Sequence, residues 1–103
     1  MNITSTLHIL ADIVREREAQ DKKWGEQHYP DGTNPDAFKP LADLARDKCD
    51  LAMKVGQLQW IDILIEETME TYAEVEWPKL RKELIQSAAV IVAWVEDGDS
   101  RNE

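Results

Sequence analysis

Four stretches of this chain repeat their apolar residues at every third or fourth position, and none alternates apolar with polar as a strand would. That period belongs to the helix, so the expected fold is all-α, a single bundle-like domain of four helices over residues 1–103. Leu7, Leu10, Ala11 and Val14 set the stripe of a first helix over about residues 6–23. Its second half, from Arg15 to Lys23, is polar all round and is expected to project beyond the core. Leu41, Leu44, Ala45, Ala52 and Val55 mark a second helix over 38–55, ended by Gly56. Ile61, Leu64, Ile65, Met69 and Tyr72 mark a third over 58–75. The fourth opens at Pro78, a good first-turn residue, and runs to about Asp97 ahead of Gly98, with Leu80, Leu84, Ala88, Ile91 and Val95 as its stripe.

Two segments stand apart from this pattern. Ala88 to Val95 is apolar on every face, which requires burial at a bundle centre or in an interface. In a chain of 103 residues the interface is the better expectation, and it predicts a homodimer or homotetramer. Residues 25–37 form a long loop with turn signals at Pro30-Asp31-Gly32 and Asn34-Pro35-Asp36. Loops of this length inside small domains are usually functional or disordered, and Trp24, His28 and Tyr29 argue against simple disorder.

Composition narrows the class. With 43% apolar residues the chain can build a core. No apolar run reaches the eighteen residues of a membrane span, and Met1 to Thr6 carry no basic leader segment, so a cytoplasmic setting is expected. Cys49 is the only cysteine, which excludes an internal disulfide and a cysteine-based zinc site. Twelve Lys and Arg against 21 Asp and Glu give a net charge of −9. That balance opposes duplex nucleic-acid binding, though a divalent metal could still bring phosphates to acidic residues.

The acids of the last two helices are the informative feature. Glu66, Glu67, Glu70 and Glu74 lie in the third helix, and Glu83 and Gln86 in the fourth. Residues three or four apart share a helical face, so Glu67 and Glu70 converge, as do Glu66 and Glu70, with Glu83 and Gln86 as the matching pair. Antiparallel packing of the two helices would bring these oxygens together, and an all-oxygen site suits Mg²⁺ or Mn²⁺. A solvated acidic face accounts for Glu66, Glu70 and Glu74 equally well, and Lys79, four residues before Glu83, offers that acid a pairing partner.

The layout Glu66-Glu67-x-x-Glu70, twelve intervening residues, then Glu83-x-x-Gln86 resembles the EExxE…ExxD signature of MazG-like proteins. These belong to the all-α nucleoside triphosphate pyrophosphohydrolase superfamily, and several small members are phage-encoded. The segments from Arg17 to Gln27, Trp60 to Glu67 and Leu80 to Val90 are similar to segments of small MazG-like proteins. The resemblance implies Mg²⁺-dependent cleavage of a nucleoside triphosphate between its α and β phosphates. It also implies metal ligation by Glu67, Glu70 and Glu83, with Glu66 as a further ligand or as the group orienting the attacking water. Gln86 stands where the signature has aspartate, and an amide brings no charge and no base.

Lys22, Lys23 and Arg17 are candidate phosphate contacts, with helix-end pairing to Glu18 and Asp21 as the structural alternative. Trp24 and Trp60 could stack on a nucleobase or serve as core. Trp77 reads as a hydrophobic staple for the fourth helix, Trp94 as core or interface, His8 and His28 as structural or exposed, and Cys49 as a small core residue. Two other functions stay open: a catalytically silent nucleotide- or metal-binding relative, suggested by Gln86, and an acidic protein that mimics DNA, suggested by the net charge.

Overall fold

The computed structural model describes residues 1–103 and contains four α-helices and no strand: α1 (Ile3–Trp24), α2 (Pro35–Lys54), α3 (Trp60–Tyr72) and α4 (Trp77–Arg101). The all-α expectation holds. No helix is long and apolar enough to cross a membrane. The chain divides into two compact units, residues 1–30 with 92–103 and residues 31–91.

The helix starts are set by caps rather than by apolar period. Asn2 is extended and its side chain accepts the Ser5 N–H at 3.1 Å, so α1 begins before its stripe does. Asn34 does the same for α2, accepting the Asp36 N–H at 2.9 Å, with Pro35 as the first helical residue. The loop is therefore shorter than residues 25–37, and Asn34 pins its end by donating its N–H to the Tyr72 carbonyl at 2.8 Å. Tyr29 and Trp24 are exposed, so packing of these rings does not anchor the loop. Helix α3 starts where the Asp62 carboxylate accepts the Gln59 N–H at 3.1 Å. It stops at Tyr72, short of the expected 58–75. Helix α4 runs straight through Gly98, whose carbonyl accepts the Asn102 N–H at 3.1 Å. A single glycine costs a helix only about 1 kcal/mol relative to alanine and does not force an end.

In the unit of residues 31–91, α2 and α3 form an antiparallel hairpin. Its two ends are fixed by contacts: the rings of Phe38 and Tyr72 meet edge to face at 5.2 Å, and the Cys49 thiol donates to the Asp62 carbonyl at 3.0 Å. The α2 side of this contact is built from the small residues Ala42, Ala45 and Cys49, all buried. On the other flank of α3, Thr71 is buried and its hydroxyl lies 3.0 Å from that of Ser87 on α4, tying those two helices together. Leu80 of α4 is buried as well.

The core matches the apolar stripes of the sequence at Ala45 and Leu80 and departs from them elsewhere. Leu41, Leu44 and Val55 of α2, Ile61, Ile65 and Tyr72 of α3, and Leu84, Ile91 and Val95 of α4 are exposed, as are Leu7, Leu10 and Val14 of α1. Ile9 is the buried residue of α1. The stretch from Ala88 to Val95, expected to be wholly covered, buries only Val92 within one chain. Apolar period on α2 favoured Leu41 and Leu44. The close approach of α2 to α3 instead selected the small side chains of Ala42, Ala45 and Cys49, of which Ala45 belonged to the expected stripe.

Candidate metal centre

Helix α3 carries Glu67 and Glu70 one turn apart, and the Thr71–Ser87 contact holds α4 beside them so that Glu83 faces the pair. One carboxylate oxygen from each of Glu67, Glu70 and Glu83 lies within 4.8 Å of the others. All three side chains are half-buried. Oxygens of Glu67 and Glu83 are shut away from solvent with no hydrogen-bond partner in the protein, the arrangement that is most costly for an ionised group.

The electrostatics follow from that crowding. Burial raises the pKa of Glu67 above the ordinary carboxylate value, and the charges of Glu83 and Glu66 raise it further. Glu70 is raised by burial and then by Glu67, Glu66 and Glu83, while the guanidinium of Arg46 on α2 draws it partly back. Lys79 does not relieve Glu83: its ammonium pairs with Glu76 at 3.7 Å. The bland pairing suggested by spacing is thus absent, and the cluster keeps an excess of negative charge.

Glu66 is not one of the three converging oxygens, although it is four residues from Glu70. It turns toward Cys49. The buried Cys49 thiol is pushed up to about 11, chiefly by burial and then by its hydrogen bond to Glu66 and the charges of Glu66, Asp62 and Asp50. Cys49 is therefore a buried core thiol, held protonated at neutral pH. Gln86 lies one turn beyond Glu83 on α4 and is exposed.

Lys22, Lys23 and Trp24 sit at the end of α1 and are exposed, with the Lys23 ammonium 4.7 Å from the centre of the Trp24 ring. Lys23 and Trp24 line an open groove of about 420 Å³ with Glu16, Ala19, Gln20 and Gln27. Arg17 bonds Gln20 at 2.8 Å instead of Glu18 or Asp21. Trp60 opens α3 and is half-buried. Trp77 is exposed at the first position of α4, so it does not act as a buried staple. His8 and His28 are exposed, and His28 lies 3.3 Å from Glu26. Arg46 escaped the sequence reading because its influence on Glu70 crosses from α2 to α3, a contact no local spacing encodes.

The donor set fits a hard divalent cation. Carboxylate oxygens are the preferred ligands of Mg²⁺, Mn²⁺ and Ca²⁺, and a cation would satisfy the two unpartnered oxygens that the protein leaves bare. The chain matches no protein-family model, no curated protein and no solved structure.

Proposed function

We propose that this protein is a divalent-cation-dependent nucleoside triphosphate pyrophosphohydrolase, using Mg²⁺ or Mn²⁺ to release pyrophosphate and leave a nucleoside monophosphate. The observation that carries the reading is the convergence of Glu67, Glu70 and Glu83 around two buried, unpartnered oxygens. It joins the resemblance of the acid layout to the MazG-like signature. The same reading has the chain working as a cytoplasmic homodimer or homotetramer, the setting in which nucleoside triphosphates are available.

In this proposal Glu67, Glu70 and Glu83 hold the cation, which when bound neutralises phosphate charge and activates a water for in-line attack. Glu67 and Glu70 must be ionised to hold the cation, so their raised pKa values make loading pH-dependent. Glu66 contributes negative charge beside Glu67 and is the candidate for orienting the water. Arg46 offsets part of the repulsion at Glu70. Lys22 and Lys23 are the proposed phosphate contacts, and Trp24 and Trp60 the proposed base contacts.

The second reading is a catalytically silent relative that binds cation and nucleotide. Gln86 favours it, being neutral where the signature has an acid. A turnover assay over standard and damaged nucleoside triphosphates, with Mg²⁺ and Mn²⁺ tested separately, decides between the two. Metal-dependent pyrophosphate release that disappears in Glu67→Gln supports the enzyme. Nucleotide binding without turnover, together with activity gained by Gln86→Asp, supports the silent relative.

A further inference from the structure

The acid cluster shares its face of the α2–α3 hairpin with a guanidinium. The buried line along α2 is Ala42, Ala45 and Cys49, and it meets α3 at Asp62 and Glu66. Counted at about 100° per residue, Arg46 and Asp43 fall to one side of the α2 line, while the exposed Leu41 and Leu44 fall to the other. Glu67 and Glu70 fall to the same rotational side of the α3 line as Arg46 does of its own. In an antiparallel pair, equal rotational offsets lie on one face, so Arg46 and the acids share a side of the hairpin. Counting along the hairpin from the Phe38–Tyr72 and Cys49–Asp62 contacts puts Asp43 level with Glu67 and Arg46 about one turn away. The Arg46 guanidinium reaches back over that turn to the Asp43 carboxylate at 2.8 Å, which brings it beside the cluster. Its positive charge is felt at Glu70, where it opposes the neighbouring acids.

The guanidinium is placed near the acids without being neutralised by them. Its ion pair is with Asp43, and both side chains are about half exposed. Lys48 and Lys79 of the same unit are engaged elsewhere, with Asp62 at 3.3 Å and Glu76 at 3.7 Å. Charge balance gives Arg46 a use. Three carboxylates outweigh one divalent cation by one charge, and Glu66 adds a further negative charge beside Glu67. A triphosphate approaching the loaded cluster therefore still meets net repulsion. An arginine at the rim, with planar donors matched to paired phosphate oxygens, removes part of that repulsion and fixes the ligand's orientation. A pairing with an exposed aspartate is worth little in water and is readily exchanged for phosphate.

We infer that Arg46 is a phosphate-binding residue: with a divalent cation on Glu67, Glu70 and Glu83, its guanidinium leaves Asp43 and forms paired hydrogen bonds to a polyphosphate ligand. The inference rests on the proposed function for its cation site, and extends it by assigning anion recognition to α2. It predicts opposite effects of one substitution on cation and anion. Removing the guanidinium takes a repelling charge away from the incoming cation and an attracting charge away from the polyphosphate. A residue that only supported the packing of α2 on α3 would weaken both.

The test uses the full chain and two probes: Mn²⁺ alone, followed by electron paramagnetic resonance, and manganese-bound inorganic tripolyphosphate, followed by calorimetry. Arg46→Gln is expected to bind Mn²⁺ at least as tightly as wild type, while its affinity for tripolyphosphate falls about ten- to hundredfold. Arg46→Lys keeps the charge and loses the planar fork, and is expected to recover only part of that affinity. Helical circular dichroism is expected to be unchanged in both variants, because the side chain is half exposed. Equal tripolyphosphate affinity in wild type and Arg46→Gln overturns the assignment and leaves the cation site standing. A wild type that takes up Mn²⁺ but no tripolyphosphate does the same. Weaker Mn²⁺ binding by Arg46→Gln also overturns it, since Arg46 would then be a support of the cluster. A wild type that binds no Mn²⁺ removes the cation site itself, and this inference with it.

Discussion

The two faces of the α2–α3 hairpin use the same helices for opposite ends. One side of α3 gathers Glu67 and Glu70 against Glu83 of α4 and leaves two oxygens buried without partners. The other side of the hairpin leaves its largest apolar residues in water. Each is an unfavourable arrangement for an isolated chain, and a hard cation is the proposed relief on the acidic side. Incomplete satisfaction is thus more informative here than the well-packed line of Ala42, Ala45 and Cys49 between the two.

The largest effect is expected from Glu67→Gln. On the proposed mechanism it removes a cation ligand, and pyrophosphate release should fall by about 10³-fold, read from kcat in saturating Mg²⁺. The same substitution removes a buried charge crowded by Glu83 and Glu66, so the cation-free protein should melt a few degrees higher than wild type in a thermal scan. Activity and stability moving in opposite directions separates a functional acid from a structural one. A lower melting temperature would mean that Glu67 is held by contacts the cluster does not require.

Next in size is the polar tie that holds the acidic side together. The Thr71 hydroxyl donates to the Glu67 carbonyl at 2.8 Å and meets Ser87 at 3.0 Å. Thr71→Val strands the half-buried Ser87 hydroxyl and should cost about 1–2 kcal/mol in urea unfolding. It should also weaken cation binding, because α4 is no longer keyed to α3 beside Glu67. A stability loss with unchanged cation affinity would show that the tie and the cluster are independent.

A smaller effect is expected from pH. Glu67 and Glu70 carry folded-state pKa values above the ordinary carboxylate value of 4.5, so the folded chain takes up protons before the unfolded chain does. The cation-free protein should therefore gain stability as pH falls from neutral through those raised values, and lose the trend near 4.5, where the unfolded acids protonate too. Glu67→Gln should flatten this slope, as should saturating Mn²⁺, measured by melting temperature against pH. The smallest effect belongs to Lys79→Ala. Its pairing with Glu76 is exposed at both ends, and the change should alter urea stability by no more than about 0.5 kcal/mol.

Much of this was legible in the amino-acid sequence, for reasons that particular residues make plain. Helical period is a property of consecutive residues, so the number and type of elements could be read directly. Glu67 and Glu70 could be paired for the same reason, being one turn apart. Helix starts were missed by about three residues where Asn2 and Asn34 act through side-chain caps ahead of the apolar pattern. The expected α2 stripe was right at Ala45 and wrong at Leu41 and Leu44, because hydrophobicity ranks the leucines above Ala42, whereas close helix approach favours the small residues. Glu66 was expected with Glu70 by its spacing, but the tertiary contact of α3 with Cys49 claims it. Arg46 could not be foreseen, since nothing in the order of residues brings α2 to Glu70.

The central claim is that Glu67, Glu70 and Glu83 form a cation site, and a titration of Mn²⁺ followed by electron paramagnetic resonance tests it most directly. Saturable binding by wild type that is lost in both Glu67→Gln and Glu83→Gln, with each variant still helical by circular dichroism, is the predicted result. No saturable binding, or binding that survives both substitutions unchanged, would contradict it.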